Sequence, residues 1–423
     1  MKNSKPVRTS GHLCRLLVQL LALGLAFAQN QAFAEVDNQV SMAESKPLLA
    51  PFYSSPIYEG NVGVTAFTEY TYDATKQNNI GSNTYTKTFI NSNLYFSPQI
   101  YLDLDVMLNT SSGILTNQNY LVDNAQLIFG KVALRYENDD WWVSAGRGAI
   151  NFSQAKRIAA GIWGTSLMNN EVGVNGKAGF AGAIKTKMGD WGNHAFYGAL
   201  FMADNSFLSA SYGKSSDPYP LSNGGPSNTG TLNNFSIAID GLKIAPFPKF
   251  RYHLSSVVQQ TQSLQVNGVN IPSAYLAPEY RYAAATIWDK LDLGAGFILS
   301  PLFEYNRINN RNGISGYNND YYTGSGLFGY RQWSLGGSYT LWTQDWPNAT
   351  LDSATVSIPS GGATVPSFKY GHGVNNQGQV AVSYLFSNGI SVNLGYRNEN
   401  KQGSSAQAVG MSVKYNLPFS FGF

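Results

Sequence analysis

The last fifteen residues, from Val409 to Phe423, alternate between two kinds of side chain with a period of two. The apolar positions are Val409, Met411, Val413, Tyr415, Leu417, Phe419, Phe421 and Phe423. Glycine, serine, lysine, asparagine and proline fill the positions between them. Because successive side chains of a β-strand point to opposite faces, this pattern predicts a long strand with one apolar and one polar side. Such a strand needs an apolar environment on one side and water on the other.

Residues 1–34 have the features of a secretory signal peptide. Four basic residues stand near the start: Lys2, Lys5, Arg8 and Arg15. An apolar run from Leu16 to Phe27 follows, and Ala32-Phe33-Ala34 forms a small-residue cleavage site. The run is shorter than the ~20 residues that cross a bilayer as a helix, and no later segment approaches that length. We therefore predict a cleaved leader, and entry of the remaining chain into a membrane only as strands.

Removal of this leader changes the charge balance. The full sequence carries 28 Lys+Arg and 25 Asp+Glu, and without residues 1–34 the numbers become 24 and 25. The basic excess belongs to the leader, so the sequence predicts no nucleic-acid partner. The one cysteine, Cys14, also lies in the leader, and the mature chain can therefore form neither a disulfide nor a thiolate metal site.

The rest of the sequence predicts an all-β fold. Only 13% of all residues are charged, and no segment of the mature chain has the 3.6-residue period of an amphipathic helix. Residues 35–61 are polar and without a period, and we predict a periplasmic N-terminal segment there, with a small plug as the alternative. Residues 62–423 are predicted to form one transmembrane antiparallel β-barrel, whose strands alternate between a lipid face and a polar lumen.

Sixteen strands are predicted in this barrel, joined alternately by short turns and long loops. They cover residues 62–72, 84–96, 99–109, 125–136, 141–148, 172–187, 194–203, 233–244, 250–260, 275–288, 291–307, 330–342, 350–358, 377–386, 390–397 and 406–423. In the third strand, Asp103 and Asp105 share a face opposite to Leu104. Because a charged residue is costly on the lipid face, both aspartates are predicted to face the lumen. In the fourth strand, Ile128 is predicted to face the lipid.

An amphipathic final strand closed by an aromatic residue, here Phe423, resembles the C-terminal assembly signal of Gram-negative outer-membrane proteins. With the order of turns and loops, it makes the mature chain similar to the bacterial porins of about 16 strands. The resemblance implies contact with outer-membrane lipid and lipopolysaccharide, recognition of the last strand by the outer-membrane assembly machinery, and a homotrimer. It also implies that the third outer loop, Ala149 to Glu171, folds into the lumen and narrows it.

On this resemblance, charged residues of the third loop and of the inward strand faces are the candidates for lining the pore and setting its selectivity. The loop contributes Asn151, Gln154, Lys156 and Arg157. The strands contribute Lys131, Arg135, Arg147, Arg251, Arg281 and Arg331, against Asp103, Asp105, Glu69, Glu279 and Glu304. The acidic Pro-Glu-Phe-Gly type of motif, common in this loop of general diffusion porins, is absent. The sequence therefore predicts a weak preference for anions, unless these charges mainly pair and brace the wall.

The predicted function is passive, weakly selective diffusion of small hydrophilic solutes and ions, without enzymatic activity, cofactor or metal. One alternative is a substrate-selective porin for sugars or siderophores. Its candidate loop aromatics are Trp163, Tyr317, Tyr321 and Tyr322. A second alternative is an adhesive or structural barrel with long outer loops. The least favoured is a lipid hydrolase using His253 and Ser255, which share a strand face as a base and a nucleophile would; a hydrogen-bonded lumen histidine is the favoured interpretation.

Overall fold

The computed structural model describes residues 52–75, 80–110, 118–120, 125–163, 172–213, 219–266, 269–345, 373–401 and 404–422. Within these ranges, sixteen long strands form one closed antiparallel barrel. They are β1 Ile57–Ala74, β2 Gly81–Tyr95, β3 Ile100–Asn109, β4 Gln126–Glu137, β5 Trp141–Gly148, β6 Lys177–Lys187, β7 Asn193–Ala203, β8 Asn234–Ile244, β9 Phe247–Gln259, β10 Glu279–Trp288, β11 Phe297–Asn309, β12 Asn318–Tyr330, β13 Trp333–Asp345, β14 Gly373–Leu385, β15 Ile390–Lys401 and β16 Ser404–Gly422. The first strand begins at Ile57 rather than at the predicted Val62.

The barrel closes because β1 pairs with β16 along almost its whole length. Their register runs from Ile57 opposite Gly422 to Ala74 opposite Ala406, and the other strands pair with their neighbours in the chain. Closure leaves no strand edge whose backbone groups would lack partners in lipid. The first and the last strand therefore have their outer termini at the end of the barrel where the short turns lie, which we call the turn end.

The outward faces of the strands form an apolar band. In β16, Val409 and Phe421 are exposed on this face, whereas Ser412 on the opposite face is fully buried. Aromatic pairs follow the band near the turn end: Tyr58 with Phe419, Tyr136 with Trp141, Phe250 with Trp288, and Trp333 with Tyr384. An apolar band with an aromatic girdle is typical of outer-membrane barrels. The period-two prediction for the last strand is confirmed up to Gly422, and Phe423 lies outside the described residues.

None of the helices formed by the described residues is long and apolar enough to cross a membrane.

The prediction of one loop was wrong, and so was the predicted start of one strand. The predicted loop from Asn309 to Gly329 contains β12, which pairs fully with β11 and β13. Two of its outward positions, Gly324 and Gly326, have no side chain, so the alternation of faces is hidden in the sequence. Strand β13 begins at Trp333 rather than at the predicted Tyr330. The predicted strand at Thr350–Ile358 lies outside the described residues. The sixteen strands of the structure are therefore not the same sixteen segments that were predicted.

A β-bulge at Gly130 corrects the predicted face of Ile128. Lys131 pairs with Asp105 and Phe129 pairs with Val106, so Gly130 is the extra residue of β4. Because one extra residue reverses the order of faces beyond it, Ile128 points into the barrel and not to the lipid. Lys131, on the other side of the bulge, keeps its predicted inward face.

Two predicted strands were too long at their starts. The sixth begins at Lys177 and not at Val172, because residues 172–176 belong to the preceding loop. The eleventh contains a hairpin: Leu291–Gly294 pairs back onto the first residues of Phe297–Asn309. Gly296 has a φ of 82° within that turn, a backbone conformation that favours glycine.

Candidate functional site: the constricted lumen

The loop between β5 and β6 folds into the barrel, as predicted for the third outer loop. Its two ends are joined by a hydrogen bond of 2.9 Å from the Ile150 N–H to the Val174 carbonyl oxygen. Phe152, only 2% exposed, packs with Val174 and with Phe201 and Val257 of the barrel wall. The described parts of this loop, 149–163 and 172–176, therefore lie against the inner surface of the sheet.

Glu304 of β11 anchors the short helix of this loop, α1 (Ala155–Ile158). One carboxylate oxygen accepts a hydrogen bond of 2.5 Å from the Ser153 hydroxyl. The other accepts from the backbone N–H groups of Gln154 at 2.5 Å and Ala155 at 2.9 Å. A carboxylate thus satisfies N–H groups that have no partner inside the helix. Glu304 was predicted as a pore-wall charge, but its position under the loop makes it an anchor.

His253 and Ser255 also hold the loop and do not contact each other as a catalytic pair. His253 is fully buried, with Nδ1 2.6 Å from an Asp240 oxygen and Nε2 2.6 Å from the Phe152 carbonyl oxygen. The Ser255 hydroxyl donates to the same carbonyl at 2.9 Å. The predicted hydrogen-bonded lumen histidine is confirmed, because both ring nitrogens have structural partners.

The far part of the loop reaches the opposite wall. The Ala160 N–H donates to the Ser325 hydroxyl of β12 at 2.8 Å, and the Trp163 indole donates to Glu69 of β1 at 2.8 Å. Trp163 is 5% exposed and packs against Phe67. The loop is therefore fixed at both walls, and it crosses the lumen between them.

The four loop aromatics predicted as solute contacts do not line the lumen. Trp163, Tyr317 and Tyr321 are buried, and Tyr321 stacks with Trp342 inside the protein. Tyr322 is half exposed on the lipid face of β12. These side chains contribute packing, and any aromatic contact with a solute has to come from elsewhere.

Most of the predicted strand charges form ion pairs across the wall. Lys131 Nζ lies 3.1 Å from Asp103 and 3.8 Å from Asp105. Arg251 lies 2.6 Å from Asp289. The predicted facing of both aspartates is confirmed, since they contact a lysine on the inner surface. Pairing lowers the net charge that these residues present to a solute.

Two predicted arginines are paired with buried carboxylates. Arg147 pairs with Asp204 and donates to the Phe129 carbonyl oxygen at 2.8 Å. Arg281 pairs with the fully buried Glu279 at 2.6 Å and donates to the Gly173 carbonyl of the loop at 3.1 Å. Both arginines therefore brace the loop end of the barrel.

Arg331 was wrongly predicted on an inward strand face. It lies in the two-residue turn between β12 and β13, with a φ of 52°, and its guanidinium lies 5.1 Å from the Tyr330 ring centroid. The error follows from the misplaced strand, which started at Tyr330 in the prediction. Arg331 is not among the described residues that line the lumen.

The open lumen is a cavity of about 3810 Å³ bounded by the described residues. It extends from the turn end, at Asp139 and Lys249, to the level of the third loop, at Lys156 and Lys177. Among the described residues, thirteen lysines and arginines line it, against eight aspartates and glutamates. The lining as a whole, from the turn end to the third loop, therefore carries an excess of positive charge.

No protein-family model and no curated protein sequence matches this chain. Solved structures with a similar fold include OprB of Pseudomonas putida, with a TM-score of 0.58 and 10% identity over 85% of this chain and 94% of that one. The outer membrane channel DcaP of Acinetobacter baumannii has a TM-score of 0.50 and 13% identity over 87% of this chain and 100% of that one. This chain has the fold of an outer-membrane channel. The predicted closed barrel of the porin type is confirmed as the fold of this chain.

Arg157 is the most accessible charge in the described part of the constriction loop. Its side chain is exposed to the lumen, and no ion pair to it is found among the described residues. Burial against the wall lowers the pKa of Arg157, while the nearby Asp240 and Tyr197 raise it. Since a guanidinium stays protonated in proteins, Arg157 presents a permanent positive charge.

The other three predicted loop residues, Asn151, Gln154 and Lys156, have polar partners, and the buried Gln154 donates to Asn151. Lys156 Nζ donates to Asn175, and Asn151 donates to Asp240 at 3.2 Å. Burial, and then the positive charges of Arg157 and Arg281, lower the pKa of Lys156 to about 8. The loop therefore carries one permanent positive charge and one that titrates in the mildly alkaline range.

An inward row of aromatic side chains was missed by the sequence reasoning. We define the aromatic row as Tyr95, Tyr101, Trp142 and Tyr197, all of which line the lumen. The Tyr95 and Tyr101 ring centroids are 4.8 Å apart, and those of Trp142 and Tyr197 are 6.0 Å apart. A signal was present: Trp141 and Trp142 are adjacent in one strand, so only one of them can face the lipid.

Proposed function

We propose that this outer-membrane barrel is a porin through which small hydrophilic solutes and ions diffuse passively, with a weak preference for anions. The observation that carries the proposal is the lumen of about 3810 Å³, which many charged side chains line, while a band of apolar side chains covers the outside of the barrel. A barrel of 16 strands is wide enough to leave an aqueous channel. The loop that crosses it narrows the passage without filling the cavity.

The anion preference rests on which charges are already compensated. Lys131 and Arg251 have carboxylate partners in the wall, so their fields largely cancel at a distance. Arg157 has none among the described residues, and it lies on the loop that narrows the lumen. A fixed charge at a constriction with low-dielectric walls acts strongly on a passing ion. Anions are therefore favoured where the passage is narrowest.

The proposal extends to the surroundings of the barrel. We infer that residues 1–34 are removed on export and that the assembly machinery recognises the final strand ending in Phe423. The apolar band contacts outer-membrane lipid and lipopolysaccharide. Three copies associate into a homotrimer, in keeping with the resemblance to porins of this size.

The test is the current through the purified mature protein in a planar lipid bilayer under a KCl gradient. We expect stable single-channel steps and a reversal potential on the anion side. The variant Arg157→Gln should move the reversal potential towards zero, whereas Arg331→Gln, which changes an arginine in a turn, should leave it unchanged. A folded barrel that carries no current would overturn the pore, and a reversal potential on the cation side would overturn the anion preference.

A further inference from the structure

The aromatic row lies on the inner wall of β2, β3, β5 and β7, with the Tyr95 and Tyr101 rings tilted by 41° to each other and the Trp142 and Tyr197 rings by 58°. Arg135, on the strand between Tyr101 and Trp142, lies with its guanidinium 4.1 Å from the Trp142 ring centroid and 6.0 Å from that of Tyr101. Guanidinium and aromatic planes stack favourably, so the arginine continues the surface between the rings. We call the four rings of the aromatic row and the Arg135 guanidinium the shelf.

Apolar side chains also line the lumen farther along β2, β3 and β4, although the lumen is aqueous. Phe89 is 38% exposed and lies on the inner face of β2, beside Met107 of β3 and Ile128 of β4. All three line the lumen. A channel that only conducts water and ions does not need apolar groups in contact with its contents. Exposed apolar groups of this kind are a sign of ligand contact.

Two carboxylates near the shelf, Glu137 and Asp240, already have hydrogen-bond donors or cations as partners. The Glu137 carboxylate accepts from Tyr101 at 2.7 Å and pairs with Arg135 at 2.9 Å and Lys185 at 2.7 Å. The Asp240 carboxylate is held by His253 and Asn151. The donors are in excess, because Arg157 lies near Tyr197 and Asp240 and has no carboxylate partner among the described residues. The guanidinium of Arg157 can therefore bind a negatively charged hydrogen-bond acceptor of a solute.

We propose that the aromatic row and Arg157 form a binding site for a ring-shaped solute that carries an anionic group, such as an aromatic carboxylate or a sugar phosphate. The ring lies against the shelf at Trp142 and Tyr197, and Arg157 binds the anionic group. This proposal rests on the porin function, since the site lies in the wall of the pore. It assigns that pore a substrate class beyond general diffusion.

Binding is tested on the folded barrel in detergent by isothermal titration calorimetry, which does not depend on conduction. The ring anions are benzoate and glucose 6-phosphate, the ring-free anions are acetate and inorganic phosphate, and glucose is the neutral ring. Stacking and ion pairing together predict binding of at least one ring anion about tenfold tighter than that of the matching ring-free anion. A preference for benzoate would indicate an aromatic carboxylate as the solute, and a preference for glucose 6-phosphate would indicate a sugar phosphate. If neither ring anion binds tighter than its ring-free counterpart, or if glucose binds as tightly as the preferred ring anion, the site is overturned.

Two adjacent tryptophans supply a matched pair of variants. Trp142→Leu should remove most of the tenfold preference for ring anions, and Trp141→Leu, which changes the lipid face of the same strand, should retain it. Arg157→Gln should weaken ring anions and leave the affinity for glucose unchanged. Heat-modifiable mobility on a gel shows whether each variant is folded. Equal effects of Trp142→Leu and Trp141→Leu would contradict the proposal.

Conductance separates this inference from the porin function. A barrel that conducts KCl but shows no preference in calorimetry is a porin without this site. A barrel that binds ring anions but carries no current has the site and is not an open pore. If both hold, millimolar benzoate or glucose 6-phosphate should produce brief interruptions of the KCl current that acetate and inorganic phosphate do not.

Discussion

The Ser153 hydroxyl lies 2.5 Å from a carboxylate oxygen of Glu304, and this contact fixes the constriction loop to strand β11. The two residues are 151 positions apart in the chain. The second carboxylate oxygen extends the contact to two backbone N–H groups of the loop. The width of the passage therefore depends on a carboxylate of the wall as well as on the loop that narrows it.

Glu304→Gln should make the open-channel current noisier. The variant keeps one acceptor oxygen but loses the charge, and hydrogen bonds to charged groups contribute roughly 1.5–3 kcal/mol each. The loop should then leave the wall for short periods and cause partial closures, which single-channel recording detects. Glu399→Gln in β15 is the control, since no hydrogen bond joins Glu399 to the described part of the loop. Wild-type noise in Glu304→Gln would show that other contacts suffice to hold the loop.

Leu104→Arg should prevent assembly, whereas Asp103→Asn should not. Leu104 faces the lipid, where an arginine near the bilayer midplane costs about 2–4 kcal/mol. Asp103 faces the lumen and pairs with Lys131 at 3.1 Å, so its neutralisation frees positive charge and should raise the preference for anions. The yield of heat-modifiable protein and the reversal potential measure the two effects. Equal tolerance of both changes would contradict the assignment of faces in β3.

The anion preference should decrease between pH 6.5 and 9.5. The pKa of Lys156 is lowered to about 8 by burial and by the positive charges of Arg157 and Arg281. Its ammonium is therefore charged below this pH and mostly neutral above it, and the loop loses one positive charge as the pH rises. Reversal potentials under a KCl gradient measure the change. Lys156→Met should show a lower preference at pH 6.5 and a smaller change with pH; an undiminished change would assign the titration to another group.

Arg147→Met should destabilise the barrel more than the double change Arg147→Met with Asp204→Asn. Asp204 is 3% exposed in its side chain, and removal of one member of a buried ion pair costs about 3–5 kcal/mol because the other charge stays buried. Neutralising Asp204 removes that penalty. The stabilities of the two variants are compared by the temperature at which the folded form converts to the form of slower gel mobility. A double variant less stable than Arg147→Met would show that the carboxylate keeps other partners.

The alternation of side chains determined much of this fold in advance. Where lipid-facing residues are large, as in β3 and β16, a period of two identifies the strand and its faces, because an aqueous lumen and a lipid layer impose opposite chemistry on neighbouring residues. The inward facing of Asp103, Lys131 and Arg135 followed from the same rule. The rule failed where glycine occupies the outward positions of β12 and where the bulge at Gly130 reversed the order of faces.

Only the tertiary structure decided which of the inward charges face a solute. Arg147, Arg281 and Glu304 lie on the inner wall as predicted, but contacts with Asp204, with the Gly173 carbonyl and with Ser153 turn them into supports. The same closure of the barrel places Trp142 of β5 and Tyr197 of β7 side by side, and brings Arg157 of the loop near them. The local sequence pattern indicates on which side of the sheet a residue lies. The strand register and the path of one loop determine which residues meet across the lumen.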